Sequence, residues 1–206
     1  MRFRKNHTGW QTNWYRKSAD AIRWLHIYLS MLGFSAILFF AVTGITLNHP
    51  TWLGGGAQHT EDITGNISAD WLLGSPSKLE IAETLRERHG LQGRVAQFQS
   101  EEHEVMLVYK KPGYAADVFI DKETGDYSVT VTSTNLIAVM NDLHKGRDSG
   151  SVWNILVIDG SAIIMLLFSL SGFALLLYVK RRRRTGLLTA VVGTLLIIGV
   201  WLWWTP

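Results

Sequence analysis

The sequence contains no cysteine among its 206 residues. This absence excludes disulfides, iron–sulfur clusters held by thiolates and haem attached through a Cys-x-x-Cys-His motif. The chain also lacks a glycine-rich Rossmann fingerprint and a flavin-domain signature, so it carries no recognisable nucleotide cofactor site. Charged residues are missing from three long stretches. These stretches decide the class of protein, because the overall hydrophobic content of 47% is ordinary.

The uncharged stretches are Ile27–Leu47, Gly160–Val179 and Thr185–Pro206, with 21, 20 and 22 residues. About 20 apolar residues in a helix cross the hydrocarbon core of a bilayer. Three such stretches are hard to bury in a soluble protein of this size, so the sequence predicts three transmembrane helices. The alternative for the first stretch is a signal peptide. Its apolar run is too long for that, and no small-x-small cleavage pattern follows.

The distribution of charge predicts how the chain is oriented. Residues 1–23 carry six Lys or Arg against one acid, and the link between the second and third stretches reads KRRRR. By the positive-inside rule both segments are cytoplasmic. Residues 48–150 hold 15 acids and nine Lys or Arg, a net charge of −6, and belong on the opposite side. We interpret the basic runs as topology signals and expect no nucleic-acid partner.

The segment between the first two spans predicts a small α+β domain. Ser77 and Glu80 have the spacing of a capping box, which predicts a helix from Ser77 to about His89. Alternating patterns and turn residues predict four antiparallel strands, at Arg94–Gln99, Glu104–Lys110, Ala116–Asp121 and Tyr127–Thr132. The segment NLIAVMNDLHKGR has an apolar helical face, which predicts an amphipathic helix lying on the outer membrane surface.

Three of the seven histidines lie at the boundaries of apolar segments: His26, His49 and His144. An ionisable side chain at membrane depth is costly and indicates function, although a boundary histidine can also extend to water. Neutral imidazoles in a membrane can ligate haem iron, bind another metal or relay protons. The predicted topology places His49 and His144 at the same depth, where they could clamp one haem b near the outer surface. Met140 is a weaker candidate axial ligand.

His26 requires a separate site. It precedes His49 by 23 residues, about 34 Å along a helix, so one haem cannot use both. A second haem near the inner surface would use His26, beside the small residues Ser30 and Gly33, which serve either a flat macrocycle or helix packing. A homodimer, an outside ligand and the absence of an inner haem all remain open. Asp159 either hydrogen-bonds a ligating imidazole or caps the second span.

The sequence also contains a weak internal echo. A Leu-His pair precedes FAVTG (Phe40–Gly44) in the first span, and another precedes FSLSG (Phe168–Gly172) in the second. The echo reflects either an old duplication or a shared preference in helix packing.

Three segments resemble a known family. VFIDKETGDYSV is similar to the strand–turn–strand signature of PepSY domains, and WLHIYLSMLGFSAILFFAVTGITL resembles the first helix of PepSY-associated transmembrane proteins. LHKGRDSGSVWNILVIDGSAIIMLLFSLSGFALLL resembles the helix after the periplasmic insert of that family. The resemblance covers roughly residues 20–185, and larger members have four or more spans. It implies an inner-membrane haem protein that reduces periplasmic ferric siderophores, with the family's helix-end histidines at His26, His49 and His144.

We therefore expect an α-helical membrane protein with three transmembrane helices and a small periplasmic PepSY-like α+β domain. Electrons would come from a quinol or a partner reductase. One alternative is a membrane-anchored PepSY module that binds peptide or inhibits a protease, and another is a metal-binding or assembly subunit. The expected segments are a cytoplasmic N-terminus (1–21), the first helix (22–48), the periplasmic domain (49–134), an amphipathic helix and loop (135–150), the second helix (151–180), a basic cytoplasmic loop (181–184) and the third helix (185–206).

Overall fold

The computed structural model describes residues 9–68, 72 and 77–205. Its helices are α1 (Gly9–Asn48), α2 (Lys78–His89), α3 (Leu136–Lys145), α4 (Gly160–Tyr178) and α5 (Arg183–Trp204), and its strands are β1 (Gln58–Asn66), β2 (Arg94–Ser100), β3 (Glu104–Lys111), β4 (Tyr114–Asp121) and β5 (Asp126–Thr134). Three helical stretches are long and apolar enough to cross a membrane: Asn13–Asn48, Trp153–Tyr178 and Arg183–Trp204. The prediction of three spans is confirmed. The basic residues Arg2, Arg4 and Lys5 lie outside the described residues.

The chain divides into two compact units, the first formed by residues 1–37 with 160–206 and the second by Leu38–Asp159. In the first unit, small residues bring helices into close contact. A Cβ added at the buried Gly33 of α1 would lie 2.9 Å from the Cγ2 atom of Ile164 in α4. Transmembrane helices approach closely where a side chain is absent. Gly33 therefore lets α1 and α4 approach each other closely.

The second unit contains an antiparallel sheet of five strands in the order β1-β5-β4-β3-β2. The four predicted strands are confirmed as β2 to β5, but the prediction missed β1, which pairs with β5 along its whole length, from Gln58↔Thr134 to Asn66↔Asp126. The sequence of β1, QHTEDITGN, has no apolar alternation, and only Ile63 packs against the core. Such a strand owes its place to pairing with its neighbour, which periodicity does not report.

Helix α2 covers one face of this sheet and begins and ends where the sequence predicts. The Ser77 side chain accepts a hydrogen bond from the Glu80 N–H, and Gly90 ends the helix in the left-handed conformation. The buried face of α2 packs on the sheet, where the Tyr109 hydroxyl donates to the Ala82 carbonyl over 2.8 Å. The core of the domain consists of Ile67, Leu72, Ile81, Ala82, Leu85, Leu91, Val105, Leu107, Tyr109, Ala116, Val118, Ile120, Tyr127 and Val129.

Helix α3 and the segment after it lead back to the second apolar stretch. The Asn135 side chain caps α3 by accepting from the Ala138 N–H, and Gly146 ends the helix at a φ of 68°. Residues Trp153–Asp159 then form a π-helical segment directly before α4. Trp153 fastens this segment to α3, since its indole N–H donates to the Leu143 carbonyl over 2.9 Å. Short π-helical turns are common at functional sites.

Candidate histidine sites

His144, in the last turn of α3, lies against helix α1. Its Nδ1 atom is 2.6 Å from the Thr43 hydroxyl oxygen. The ring meets Phe40 edge-on, with 4.9 Å between ring centroids. A Cβ built on Gly44 would lie 3.9 Å from the Cε1 atom of His144, so the ring rests on the bare backbone of α1. The imidazole therefore has a phenylalanine, a hydroxyl and a glycine as its neighbours on α1.

The surroundings of His144 favour the neutral imidazole. The side chain is half-buried, and this burial lowers its pKa below the ordinary value, an effect that the neighbouring Lys145 reinforces. Thr43, to which it is bonded, is only 1% exposed. Among the described residues, the one ion pair that involves a histidine joins the exposed side chains of His103 and Glu123. Within the described residues, His144 therefore has no carboxylate partner that would stabilise its protonated form.

His26, on α1, lies against helix α4 in the first unit. Its Nδ1 atom is 3.0 Å from the hydroxyl oxygen of Ser171, which is buried. The ring stacks on Phe168 with 4.9 Å between centroids and an interplanar angle of 14°. A Cβ built on Gly172 would lie 3.0 Å from the Cε1 atom of His26, so the contact with the α4 backbone is tight. His26 too has a phenylalanine, a hydroxyl and a glycine as neighbours.

His49 follows the last residue of α1 and has different neighbours. Its ring stacks on Trp52 with 3.8 Å between centroids and an interplanar angle of 7°. Among the residues that the structure describes, no two histidine rings stack or share a hydrogen bond. The pairing of His49 with His144 around one haem therefore stays a prediction.

The remaining predicted site residues are Asp159 and Met140. Asp159 is exposed at the end of the π-helical segment, and the histidine bonds of the described chain do not include it. Met140 is half-buried on α3, one turn before His144. Within the described residues there is no cluster of three or more His, Asp or Glu side chains that could hold a bare metal ion. A metal at these histidines would have to bring other ligands with it.

Two clefts lie in the described part of the α+β domain. The larger, of about 1120 Å³, lies at one end of the sheet and is lined by carboxylates that include Asp121 and Asp126. The Asp121 carboxylate accepts hydrogen bonds from the backbone N–H groups of Thr124 and Glu123 in the turn between β4 and β5. These bonds lower the pKa of Asp121. The smaller, of about 640 Å³, lies between α2 and the edge strand β2.

The histidines could be identified from the sequence, but their hydrogen-bond partners could not. Thr43 and Ser171 lie inside apolar stretches, where a hydroxyl ordinarily bonds to its own helix backbone. The signal that could have found them was the echo of FAVTG and FSLSG, since these segments contain the residues that contact the two imidazoles.

These features define a membrane protein with three spanning helices, a five-stranded α+β domain and histidines held at helix contacts. The chain matches the protein family described as "Putative PepSY_TM-like" over residues 21–206 and belongs to that family. The resemblance to PepSY-associated transmembrane proteins is thereby confirmed. Comparison with curated proteins and with solved structures found no match.

Proposed function

We propose that the protein is a b-type haem electron-transfer protein of the bacterial inner membrane, which reduces a periplasmic Fe(III) acceptor such as a ferric siderophore. The observation that carries the proposal is the pair of half-buried imidazoles, His26 and His144, each held against a helix that can span a membrane. Histidine at membrane depth is costly and is kept for ion, proton or electron pathways.

The chemistry of these side chains fits haem iron better than it fits a proton relay. A relay needs a chain of titratable partners, and the hydrogen-bond partners of His26 and His144 within the described chain are Ser171 and Thr43. A neutral imidazole is the common axial ligand of haem iron. Haem would supply a one-electron carrier whose iron needs only two protein ligands, so the absence of a larger ligand cluster among the described residues is no obstacle.

The chain's own residues would hold the group and set its surroundings. His144 and His49 are proposed as ligands towards the periplasmic side, and His26 as a ligand of a second haem. Asp159 is proposed to hydrogen-bond one of the ligating imidazoles without contacting the iron itself. Electrons would enter from a quinol or a partner reductase at the cytoplasmic side. In a bilayer, the apolar spans around the histidines would exclude water, which would protect a reduced centre from side reactions.

An absorbance spectrum of the purified protein, oxidised and then reduced with dithionite, tests this proposal. A sharp reduced α-band is expected from protein made in haem-replete cells. His144→Ala and His26→Ala are expected to lose or shift it, because each removes an iron ligand. His59→Ala is the matched control, since His59 is exposed on strand β1. A colourless wild-type protein contradicts the proposal, as does an α-band that all three variants retain.

The proposed orientation has a separate test. Because the chain has no cysteine, a single introduced cysteine reports its own side of the membrane. Thr124→Cys, in the β4–β5 turn, is expected to react with a membrane-impermeant maleimide in intact spheroplasts. Arg181→Cys, in the basic link before α5, is expected to react only after lysis. The reverse pattern would place the domain in the cytoplasm.

The cleft between α2 and β2 supports a second candidate function, the binding of an extended peptide. Strand β2 lies at the edge of the sheet, where its outward N–H and C=O groups can pair with an added strand. Leu79 beside it is 71% exposed, which offers an apolar contact for a peptide side chain. Lys78 and Arg94 add positive charge to the cleft, so an acidic peptide is the class that fits.

Binding of fluorescent acidic peptides to the detergent-solubilised protein tests this candidate. Leu79→Glu is expected to weaken binding at least tenfold, because it removes the apolar contact and adds repulsion. The matched control is Leu136→Glu, which changes an equally exposed leucine on α3. Equal binding by both variants would remove the cleft from consideration, whatever the absorbance spectrum shows.

A further inference from the structure

The two histidine sites are built to one pattern. In each, a helix presents a phenylalanine, a hydroxyl three residues later and a glycine directly after the hydroxyl, all within reach of one imidazole. The residues are Phe40, Thr43 and Gly44 for His144, and Phe168, Ser171 and Gly172 for His26. Residues three and four apart share one helical face, which is why the three groups reach the same ring. We call this pattern the F-x-x-[ST]-G motif.

The order of these residues along the chain is reciprocal. His26 precedes the first F-x-x-[ST]-G motif in the sequence but contacts the second. His144 precedes the second motif but contacts the first. Neither imidazole is therefore a neighbour of its motif through chain proximity. Both contacts are tertiary, and the same chemistry has been placed at each.

Each of the two hydroxyls already donates its single proton to a carbonyl oxygen of its own helix. The Thr43 hydroxyl lies 2.6 Å from the Phe39 carbonyl oxygen, and the Ser171 hydroxyl lies 2.7 Å from the Phe168 carbonyl oxygen. A carbonyl oxygen carries no proton, so the hydroxyl must donate in each of these contacts. If the hydroxyl donated to the imidazole instead, two oxygen acceptors would face each other at that short distance. The hydroxyl oxygen is thus left to accept from the imidazole.

The imidazole must then supply the proton of the second contact. Nδ1 of His144 donates to Thr43 over 2.6 Å, and Nδ1 of His26 donates to Ser171 over 3.0 Å. A neutral imidazole carries a single N–H, so this assignment leaves Nε2 with its lone pair free. Both hydroxyls are at least nine-tenths buried, which keeps water from replacing them.

We propose that Thr43 and Ser171 are positioning residues that fix His144 and His26 in the Nδ1–H tautomer and so present each Nε2 lone pair to a haem iron. The proposal rests on the proposed function only for the identity of the metal centre, because the tautomer is a property of the protein alone. Partners that bond the far nitrogen of a ligating histidine set its tautomer, its orientation and its basicity, and their loss commonly costs about 10- to 100-fold in metal affinity or activity.

The tautomer is measured directly by long-range ¹H–¹⁵N spectra of the haem-free full chain, labelled with ¹⁵N-histidine in detergent micelles. Both imidazoles are expected to show a protonated Nδ1 and a bare Nε2. Thr43→Val is expected to abolish this preference at His144 and leave His26 unchanged. Ser171→Ala is expected to do the reverse. A wild-type protein with a protonated Nε2 at both histidines would overturn the proposal.

The chain supplies its own controls. Because one site uses threonine and the other serine, Thr43→Ser and Ser171→Thr keep the hydroxyl and are expected to keep the tautomer. Thr194→Val is a matched control for the loss of a hydroxyl bonded to its own helix, since Thr194 donates to the Ala190 carbonyl over 2.9 Å and is bonded to none of the histidines in the described residues. If Thr194→Val alters the two histidine signals as much as Thr43→Val does, the effect is general to the spans and the proposal fails.

The haem-bound protein allows a second measurement. Loss of the Nδ1–H bond makes an imidazole a poorer electron donor, so Thr43→Val is expected to shift the reduction potential of the bound haem to more positive values and to weaken haem binding about 10- to 100-fold. Thr43→Ser is expected to restore both. If wild-type protein has the expected tautomers but binds no haem, the proposed function fails and the positioning role stands. If it binds haem with Nε2 protonated in the haem-free state, the positioning role fails alone.

Discussion

The contact between His26 and Gly172 makes a quantitative prediction. In Gly172→Ala, the new Cβ would lie 3.0 Å from Cε1 and 3.5 Å from Nδ1 of the imidazole. Carbon atoms in ordinary contact are about 3.5–4.0 Å apart, so the ring must retreat by roughly 0.5 Å. A retreat of that size stretches the 3.0 Å bond to Ser171 to the limit of a hydrogen bond. Overpacking of this kind costs about 1–3 kcal/mol.

Gly44→Ala is the matched control, because it makes the same change at the equivalent place in the other motif. There the new Cβ would lie 3.9 Å from Cε1 of His144, an ordinary contact. We expect a change in the free energy of unfolding of less than about 0.5 kcal/mol for this variant. Both energies are measured by titrating the protein from mild micelles into SDS. Equal destabilisation by the two substitutions, or none by Gly172→Ala, would refute the reasoning from these distances.

Two further predictions concern the pH dependence of the stability of the α+β domain, followed by amide hydrogen exchange in strand β3. The turn N–H groups hold the pKa of Asp121 below its ordinary value of 3.8. The ionised carboxylate therefore stabilises the domain fully above about pH 4, and this stabilisation is lost as the pH falls through the folded-state pKa. Asp121→Asn is expected to flatten this acid limb, the fall in stability at low pH. Burial raises the pKa of Tyr109 to about 12, so stability should fall between about pH 10 and 12 as the unfolded chain loses this proton first. Tyr109→Phe is expected to remove that alkaline loss and to cost about 1 kcal/mol at neutral pH through the missing bond to Ala82. An unchanged acid limb in Asp121→Asn, or an unchanged alkaline limb in Tyr109→Phe, contradicts the corresponding assignment.

The parts of the fold that follow from local chemistry could be predicted from the sequence. The three spans follow from uninterrupted apolar length, and α2 follows from Ser77 at its start and Gly90 at its end. Strand β1 could not be predicted in this way. Most of its residues are polar and exposed, and it is held by backbone pairing with β5, whose residues lie 60 to 76 positions further along the chain. Pairing over such a separation leaves no local periodicity.

The residues of the candidate site likewise fall into those that could be predicted from the sequence and those that could not. Histidines at the ends of apolar stretches are visible in the sequence, because a titratable group beside hydrocarbon is costly and so rarely accidental. Their partners are not visible, because a threonine or serine in an apolar helix is common and usually satisfies itself on its own backbone. Thr43 and Ser171 gain their second role only from imidazoles that lie 101 and 145 residues away. The prediction that His49 and His144 clamp one haem stays a prediction.

The reciprocal contacts bear on the two explanations of the internal echo. A shared preference in helix packing accounts for a glycine and a small polar residue wherever helices approach closely. It does not account for the histidine ring that packs against each of the two glycines, with Nδ1 of each ring at hydrogen-bond distance from the neighbouring hydroxyl. A duplicated unit accounts for both, since two copies that pair would each place a histidine on the other's F-x-x-[ST]-G motif. On this reading neither site can form within one copy, because each histidine finds its hydroxyl only in the other. The tautomer that prepares both imidazoles to bind a metal is then a consequence of helix pairing.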